Sequence, residues 1–171
     1  MMRSPALPSK LRQVDERLRG LGRVVVAFSG GIDSTLLLAL ARRTLGKTGA
    51  PAATADSPSL AREDLEEAKR LAAFLDAEHV IVPTAEVNLP EYRRNTPSRC
   101  YLCKGVLFEE LDRLPRTRGI AAVVYGAIGD DVAAERPGQR AAAERSVVAP
   151  LQEAGLAKWD VREAARALGL P

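Results

Sequence analysis

Residues Ser29 to Ser34 read Ser-Gly-Gly-Ile-Asp-Ser, between the apolar run Val24-Val25-Val26-Ala27-Phe28 and the run Thr35-Leu36-Leu37-Leu38-Ala39-Leu40. The first run reads as a buried strand and the second as the body of a helix, so two glycines must turn the chain between them. A strand that enters a helix through a glycine turn is the first unit of a parallel α/β sheet. Gly30 and Gly31 carry no side chains, which lets backbone N–H groups approach an anion. The helix starting near Asp33 adds unsatisfied N–H groups and the positive end of its dipole. Ser29 and Ser34 add hydroxyl donors. Asp33 repels a bare phosphate, which leaves it two jobs: holding Mg²⁺, or fixing the loop through backbone N–H groups. The bland alternative is a plain serine-glycine turn.

Two commoner nucleotide loops are absent. No GxxxxGK[ST] occurs, so the lysine that reaches the β/γ-phosphates in a P-loop is missing. No GxGxxG occurs, so the dinucleotide fingerprint is missing as well.

Periodicity supplies the rest of the fold. A charged helix is predicted over residues 9–20, with Ser9 as N-cap and Leu11, Val14, Leu18 and Leu21 on one face. Strands are predicted over residues 23–28, 52–55, 79–82 and 120–125, and helices over 33–45, 60–76, 100–114 and 158–168. Pro115 is expected to end the third of these helices. Thr84 to Arg99 reads as a loop, residues 126–138 as irregular, and 139–145 as a short helix before the apolar pair Val147-Val148. This alternation predicts an α/β fold: a Rossmann-like parallel sheet with helices on both faces and right-handed crossovers. Ligands in such sheets sit beyond the carboxyl ends of the strands. That directs attention to the loop after strand one, Asp56-Ser57 after strand two, the loop after strand three, and Gly126 to Asp131 after strand four.

The chain has 171 residues and a formal charge of +3. That length suits one domain. The charge suits an anionic ligand but is too small to argue for nucleic acid. No apolar run approaches a membrane span, and the start contains two prolines and no apolar core, so a cytoplasmic protein is expected.

The two cysteines lie in Arg99-Cys100-Tyr101-Leu102-Cys103-Lys104. Thiols at a helix start flanked by Arg99 and Lys104 have lowered pKa values. Four readings stay open: structural cysteines, a redox pair, zinc, and an iron–sulfur cluster. Zinc needs four ligands and the single histidine, His79, is assigned to a strand. A cluster needs at least a third thiolate in most designs.

By position, Asp56 and Ser57 lie near an adenosine, or cap a helix. Gly126 gives close approach to adenine or ribose, or is a turn glycine. Asp130 and Asp131 hold Mg²⁺ or form a solvated acidic turn. Arg136 meets a phosphate or makes a surface ion pair.

The Ser29–Ser34 hexapeptide resembles the PP-loop of the N-type ATP pyrophosphatases, SGGxDS, at every defined position. The resemblance implies ATP gripped at its β,γ-pyrophosphate, attack on the α-phosphorus, and release of pyrophosphate. Asn95 to Lys104, Asp56 to Ser59, Arg136-Pro137-Gly138 and Ser146 to Leu170 further resemble the LarE family of ATP-dependent sacrificial sulfur transferases. That resemblance implies adenylation of a carboxylate on a pyridinium dicarboxylate mononucleotide, then thiocarboxylate formation for a nickel-pincer cofactor. It implies Asp33 and Lys104 as catalytic residues. It implies nucleotide contacts from Ala27, Phe28, Ser29, Gly30, Gly31, Ile32, Asp33, Ser34, Asp56, Ser57, Gly126 and Arg136. Mg²⁺ would rest on Asp33 and Asp131, and an iron–sulfur cluster would take Cys100 and Cys103.

The match ends at Leu170-Pro171. The family's further cysteine, its serine-arginine segment and its C-terminal domain lie outside the 171 residues. A single PP-loop domain over residues 1–171 is therefore expected, working as a homo-oligomer or with a partner that supplies the missing half. A further departure is Ala134-Glu135 before Arg136, where the family carries an acidic residue two places before the arginine. Rival readings are a tRNA-thiolating or amidating PP-loop enzyme, and a nucleotide-binding subunit.

Overall fold

The computed structural model describes residues 7–94, 99–134 and 137–171, leaving out the side chains of 99–100, 115–118, 132–134 and 137–139. Asn95 to Ser98 and Arg136 thus lie outside the described residues.

Four strands form one sheet in the order β3-β2-β1-β4: β1 (Val24–Ala27), β2 (Ala52–Asp56), β3 (His79–Pro83) and β4 (Ala122–Tyr125). All three pairings are parallel, and Val24 to Ala27 lie in register with Ala122 to Tyr125. The expected parallel α/β sheet is what forms. Val148 adds an isolated parallel bridge to Val124 at the far edge, which is the role of the apolar pair at 147–148.

The helices are α1 (Leu7–Leu21), α2 (Ile32–Leu45), α3 (Arg62–Phe74), α4 (Pro90–Arg93), α5 (Arg99–Arg118), α6 (Pro137–Glu144), α7 (Pro150–Glu153) and α8 (Lys158–Ala167). Side chains alternate across a strand, so β1 feeds two cores. Val24 and Val26 pack with Leu36, Leu37 and Leu40 of α2, Val14 and Leu18 of α1, and Val161 of α8. Val25 packs on the other face with Phe108 and Leu111 of α5, Val123 and Tyr125.

Several boundaries differ from expectation, and α7 and a 3-10 helix at Gly129–Ala134 were not expected. Ser9 lies inside α1 rather than capping it, because Leu7 is buried and draws the helix two residues further back. Pro115 does not end α5, which runs on to Arg118. A proline removes one helical hydrogen bond, but buried Phe108 and Leu111, with Leu114 against the same core, hold the helix on course. The loop expected over 84–99 contains a 3-10 turn at Glu86–Asn88 and the short helix α4.

α1 and α8 are clasped by Lys10 Nζ, which donates to Asp160 Oδ2 at 2.6 Å. The same oxygen accepts the Ala157 N–H at 2.9 Å, capping α8. Burial opposes ionisation of Asp160, but Lys10 and the Ala157 N–H outweigh it, so the carboxyl titrates below its ordinary 3.8. A depressed native pKa contributes stability above the unfolded value that is lost as pH falls through the native one. Asp160→Asn is expected to cost about 1–2 kcal/mol at pH 7 by urea denaturation, as for a lost cap and charged hydrogen bond. Its deficit relative to the parent should shrink as pH falls below 3.8. A deficit that does not change with pH would show that the Asp160 charge contributes nothing.

Candidate nucleotide site

β1 pairs with β2 on one side and β4 on the other, while the chain after β1 crosses to β2 and only later returns to β4. This reversal opens a crevice at the carboxyl ends of β1 and β4. A cavity of about 390 Å³ lies there, within the size range of small-molecule sites. Its polar wall includes Ser29, Gly31, Asp33 and Ser34, and its apolar wall includes Ala27, Phe28, Leu60, Leu107 and Phe108. An apolar slot beside a ring of donors suits a base joined to phosphates.

The loop holds itself open through its serines. Ser34 Oγ accepts the Ser29 N–H at 3.3 Å and donates to the Gly31 carbonyl at 3.1 Å. Ser29 Oγ accepts the Gly31 N–H at 3.3 Å and lies 3.1 Å from Ser34 Oγ. Gly30 has φ +83°, and a Cβ there would also stand 3.3 Å from Ala68 Cα of α3. Gly31 is the N-cap of α2 and, being glycine, supplies no side-chain cap to that helix end. The first-turn N–H groups of α2 are therefore available to an anion.

Asp33, in the first turn of α2, meets Lys158 from the first turn of α8. Lys158 Nζ donates to Asp33 Oδ1 at 2.8 Å and to Oδ2 at 2.9 Å. A partly exposed carboxylate in the cavity wall, with both oxygens already turned to a cation, fits a Mg²⁺ ligand. Among the described residues no group of three or more His, Cys, Asp or Glu side chains gathers to hold a metal. Mg²⁺ would therefore arrive with nucleotide phosphates supplying most of its oxygens, its usual mode.

Lys104, expected as catalytic, lines the cavity from α5, with Nζ 5.1 Å from the centroid of the Tyr125 ring. Burial pushes the Tyr125 phenol up, and the neighbouring Asp131 carboxylate adds to the shift. Asp131 lines the same cavity, and its Oδ2 accepts the Ile128 N–H at 2.9 Å. Gly126 is a cavity residue whose close approach is to protein: a Cβ there would lie 2.8 Å from Ser34 N.

Other expected residues stand apart. Asp56 and Ser57 do not line the cavity; Thr54 and Ala55 of the same strand do. Asp56 instead accepts from Arg62 at 2.7 Å, which holds its carboxyl below the ordinary range. Ser57 accepts the Ser59 N–H at 3.2 Å, making a local turn ahead of α3. Ile32 and Gly30 belong to the loop without lining the cavity, Ile32 being exposed. Asp130 caps α8 through the Lys158 N–H at 2.9 Å.

The Cys100 side chain is outside the described ones. Cys103 is half-buried, with Sγ 4.0 Å from Glu86 Oε1. Glu86 is buried, which alone would raise its pKa, but the hydroxyls of Ser57, Thr84 and Ser59 and its own N–H bring it below the usual value.

Sequence reasoning did not assign Lys158, Thr54, Leu60, Asp64, Leu107, Phe108 or Tyr125 to the site. The apolar members looked like ordinary core, and no local pattern tied Lys158 to a loop 125 residues away.

Residues 11–100 match the asparagine synthase family. The chain belongs to that family. The PP-loop lies inside the matched stretch. The resemblance to LarE proteins is also borne out. The chain is 37% identical to the pyridinium-3,5-bisthiocarboxylic acid mononucleotide synthase of Lactiplantibacillus plantarum over 96% of its length, spanning 59% of that protein. An uncharacterized protein of Synechocystis is 41% identical over 96% of this chain and 61% of its own length. This member of the asparagine synthase family thus spans about three fifths of the curated relatives it matches.

Solved structures agree on the fold. An NH3-dependent NAD synthetase from Campylobacter jejuni superposes with TM-score 0.70 at 18% identity, covering 96% of this chain and 72% of its own. An NMN synthetase from Francisella tularensis gives 0.72 at 19%, covering 99% and 73%. Among the described residues no helix is long and apolar enough to cross a membrane.

Proposed function

We propose that this domain binds ATP with Mg²⁺ and transfers the adenylyl group to a carboxylate of a small molecule, releasing pyrophosphate. The observation that carries the reading is the convergence of Ser29, Gly31, Asp33, Ser34 and Lys104 on one cavity with an apolar slot beside them. A substrate carboxylate oxygen attacks the α-phosphorus, the bond to the bridging oxygen of the β-phosphate breaks, and pyrophosphate leaves with the electron pair. Carboxylate attack needs no general base, so the chain's residues serve position and charge. The loop N–H groups and serine hydroxyls hold the departing pyrophosphate. Lys104 neutralises charge at the α-phosphate. Mg²⁺ held by Asp33 would neutralise charge on the phosphates when bound.

The finer reading is sulfur transfer. A sulfur nucleophile attacks the acyl-adenylate carbonyl, a C–S bond forms, and AMP departs. The similarity to a synthase of a bisthiocarboxylic acid mononucleotide supports this acceptor chemistry. Cys103 adjoins the cavity residue Lys104, so the Cys100–Cys103 pair is the candidate for handling sulfur or part of an iron–sulfur cluster. A cluster on two thiolates needs another ligand. These 171 residues hold two cysteines, so a further ligand would come from outside them.

The test is pyrophosphate release from Mg²⁺-ATP with and without a pyridinium-3,5-dicarboxylate mononucleotide. Release of pyrophosphate that depends on the dicarboxylate, with the AMP moiety retained on it as an acyl-adenylate, is the expected result. Formation of ADP and phosphate, or release indifferent to the carboxylate, would overturn the reading.

A further inference from the structure

Among the described residues three carboxylates line the cavity: Asp33, Asp64 and Asp131. Two of them are engaged by the protein. Asp33 is paired with Lys158, and Asp131 accepts the Ile128 N–H. Asp64 is exposed and, among the described residues, makes no hydrogen bond or ion pair. An ionised carboxylate only accepts hydrogen bonds. The oxygens of Asp64 are therefore left to solvent or to whatever fills the cavity.

The place of Asp64 along α3 says which part of a nucleotide it meets. Leu60, just ahead of the helix, belongs to the apolar wall. Asp64 follows four residues on, in the first turn of α3. Ala68, another four on, touches the glycine loop, its Cα lying 3.3 Å from where a Cβ on Gly30 would stand. Helical residues four apart share one face, about 6 Å apart along the axis. This edge of the site thus runs from the apolar slot, past Asp64, to the loop. In a nucleotide the sugar stands between the base and the phosphates. A carboxylate set against phosphates would repel them, whereas against a sugar it meets hydroxyl donors.

We propose that Asp64 reads the ribose in this site, its carboxylate accepting hydrogen bonds from the 2′- and 3′-hydroxyls of the nucleotide. The inference rests on the ATP reading given above. Such bonds to an ionised acceptor are charge-assisted. They orient the nucleotide so that its base enters the apolar slot while its phosphates reach the loop. They also discriminate, because a sugar without hydroxyls leaves the carboxylate facing carbon. Two other roles for Asp64 predict different behaviour. A Mg²⁺ ligand matters only when Mg²⁺ is present. A carboxylate serving only the α3 dipole matters to stability and not to which sugar binds.

The experiment is calorimetric titration of the full chain with ATP, 2′,3′-dideoxy-ATP and inorganic pyrophosphate, in Mg²⁺ and in EDTA. The variants are Asp64→Ala and Asp64→Asn. The parent is expected to bind dideoxy-ATP about 10- to 100-fold more weakly than ATP. Asp64→Ala should weaken ATP by a similar factor without weakening dideoxy-ATP or pyrophosphate, so that the preference for ribose disappears. Both results should hold in EDTA as in Mg²⁺. Asp64→Asn, whose amide oxygen still accepts, should keep part of the preference. A ribose preference that survives Asp64→Ala, equal weakening of ATP and dideoxy-ATP, or a loss confined to Mg²⁺ overturns the proposal. A parent that binds ATP and dideoxy-ATP alike also overturns it and leaves the ATP reading standing. A parent that does not bind ATP defeats the ATP reading, and this assignment with it.

Discussion

Asp33→Asn is expected to lower pyrophosphate release from Mg²⁺-ATP by about 10²- to 10³-fold, the usual cost of removing one preorganised electrostatic group. Asp33 lies in the first turn of α2, where its carboxylate gains from the helix dipole. It is partly exposed and, among the described residues, pairs with Lys158. The amide keeps the shape and loses about 0.3–1 kcal/mol of dipole interaction, so the thermal midpoint should fall by only a few degrees. The activity loss comes instead from the Mg²⁺ ligand. Two readouts separate this from general damage. The Mg²⁺ concentration for half-maximal release should rise, and ATP binding in EDTA should strengthen, because the amide no longer repels phosphate. Unchanged pyrophosphate release with the usual Mg²⁺ dependence would remove Asp33 from the chemistry.

The loop half of this cavity was legible because its signal is local. Six consecutive residues, Ser29 to Ser34, carry the glycines, hydroxyls and carboxylate together, and the flanking runs say strand and helix. The sheet was legible for a related reason, since wholly apolar strands must be covered on both faces. The apolar half was legible only at Ala27 and Phe28. Leu60, Leu107, Phe108 and Tyr125 come from three separate stretches and look individually like core, which Phe108 and Tyr125 also are. Asp56-Ser57 follow the strand residues Thr54 and Ala55 that line the cavity, without lining it themselves. Arg62, six positions on, draws Asp56 away, while the two residues before it open to the cavity. Asp130 and Asp131 were one acidic pair in sequence, and the fold gives them different work: one caps α8, the other lines the site. Lys158 needed the tertiary structure outright.

The acceptor is the least local property. Relatives named for different products, among them argininosuccinate synthases and an NAD(+) synthetase, match this chain at 30–35% identity over 42–87% of its length. Relatives with different named products fit the proposed reading, in which the first strand-loop-helix unit binds the adenylyl donor and other parts recognise the acceptor. That is why pyrophosphate release, common to the donor side, is the first activity to measure, and dependence on a particular carboxylate the second.

Gly126→Ala is expected to damage the same loop from the opposite strand. A Cβ at this position would lie 2.8 Å from Ser34 N and 3.0 Å from both Asp33 C and Ser34 Cα. All three are backbone atoms of the first turn of α2, so no side chain can swing aside. The end of β4 and the start of α2 must part by several tenths of an ångström, and the N–H groups that face the pyrophosphate move with the helix. Overpacking of this kind costs about 1–3 kcal/mol. Because small misplacements of positioned groups are costly, ATP affinity should fall about 10- to 100-fold. Gly105→Ala is the matched control. Gly105 lies within α5, and an added Cβ there meets nothing within 4 Å. In that setting the methyl group is expected to stabilise the helix by about 0.5–1 kcal/mol and leave ATP binding alone. Guanidinium unfolding and ATP titration of the two variants side by side decide the matter. If Gly126→Ala unfolds early yet binds ATP normally, the strand end supports the fold only, and the loop geometry does not depend on that contact.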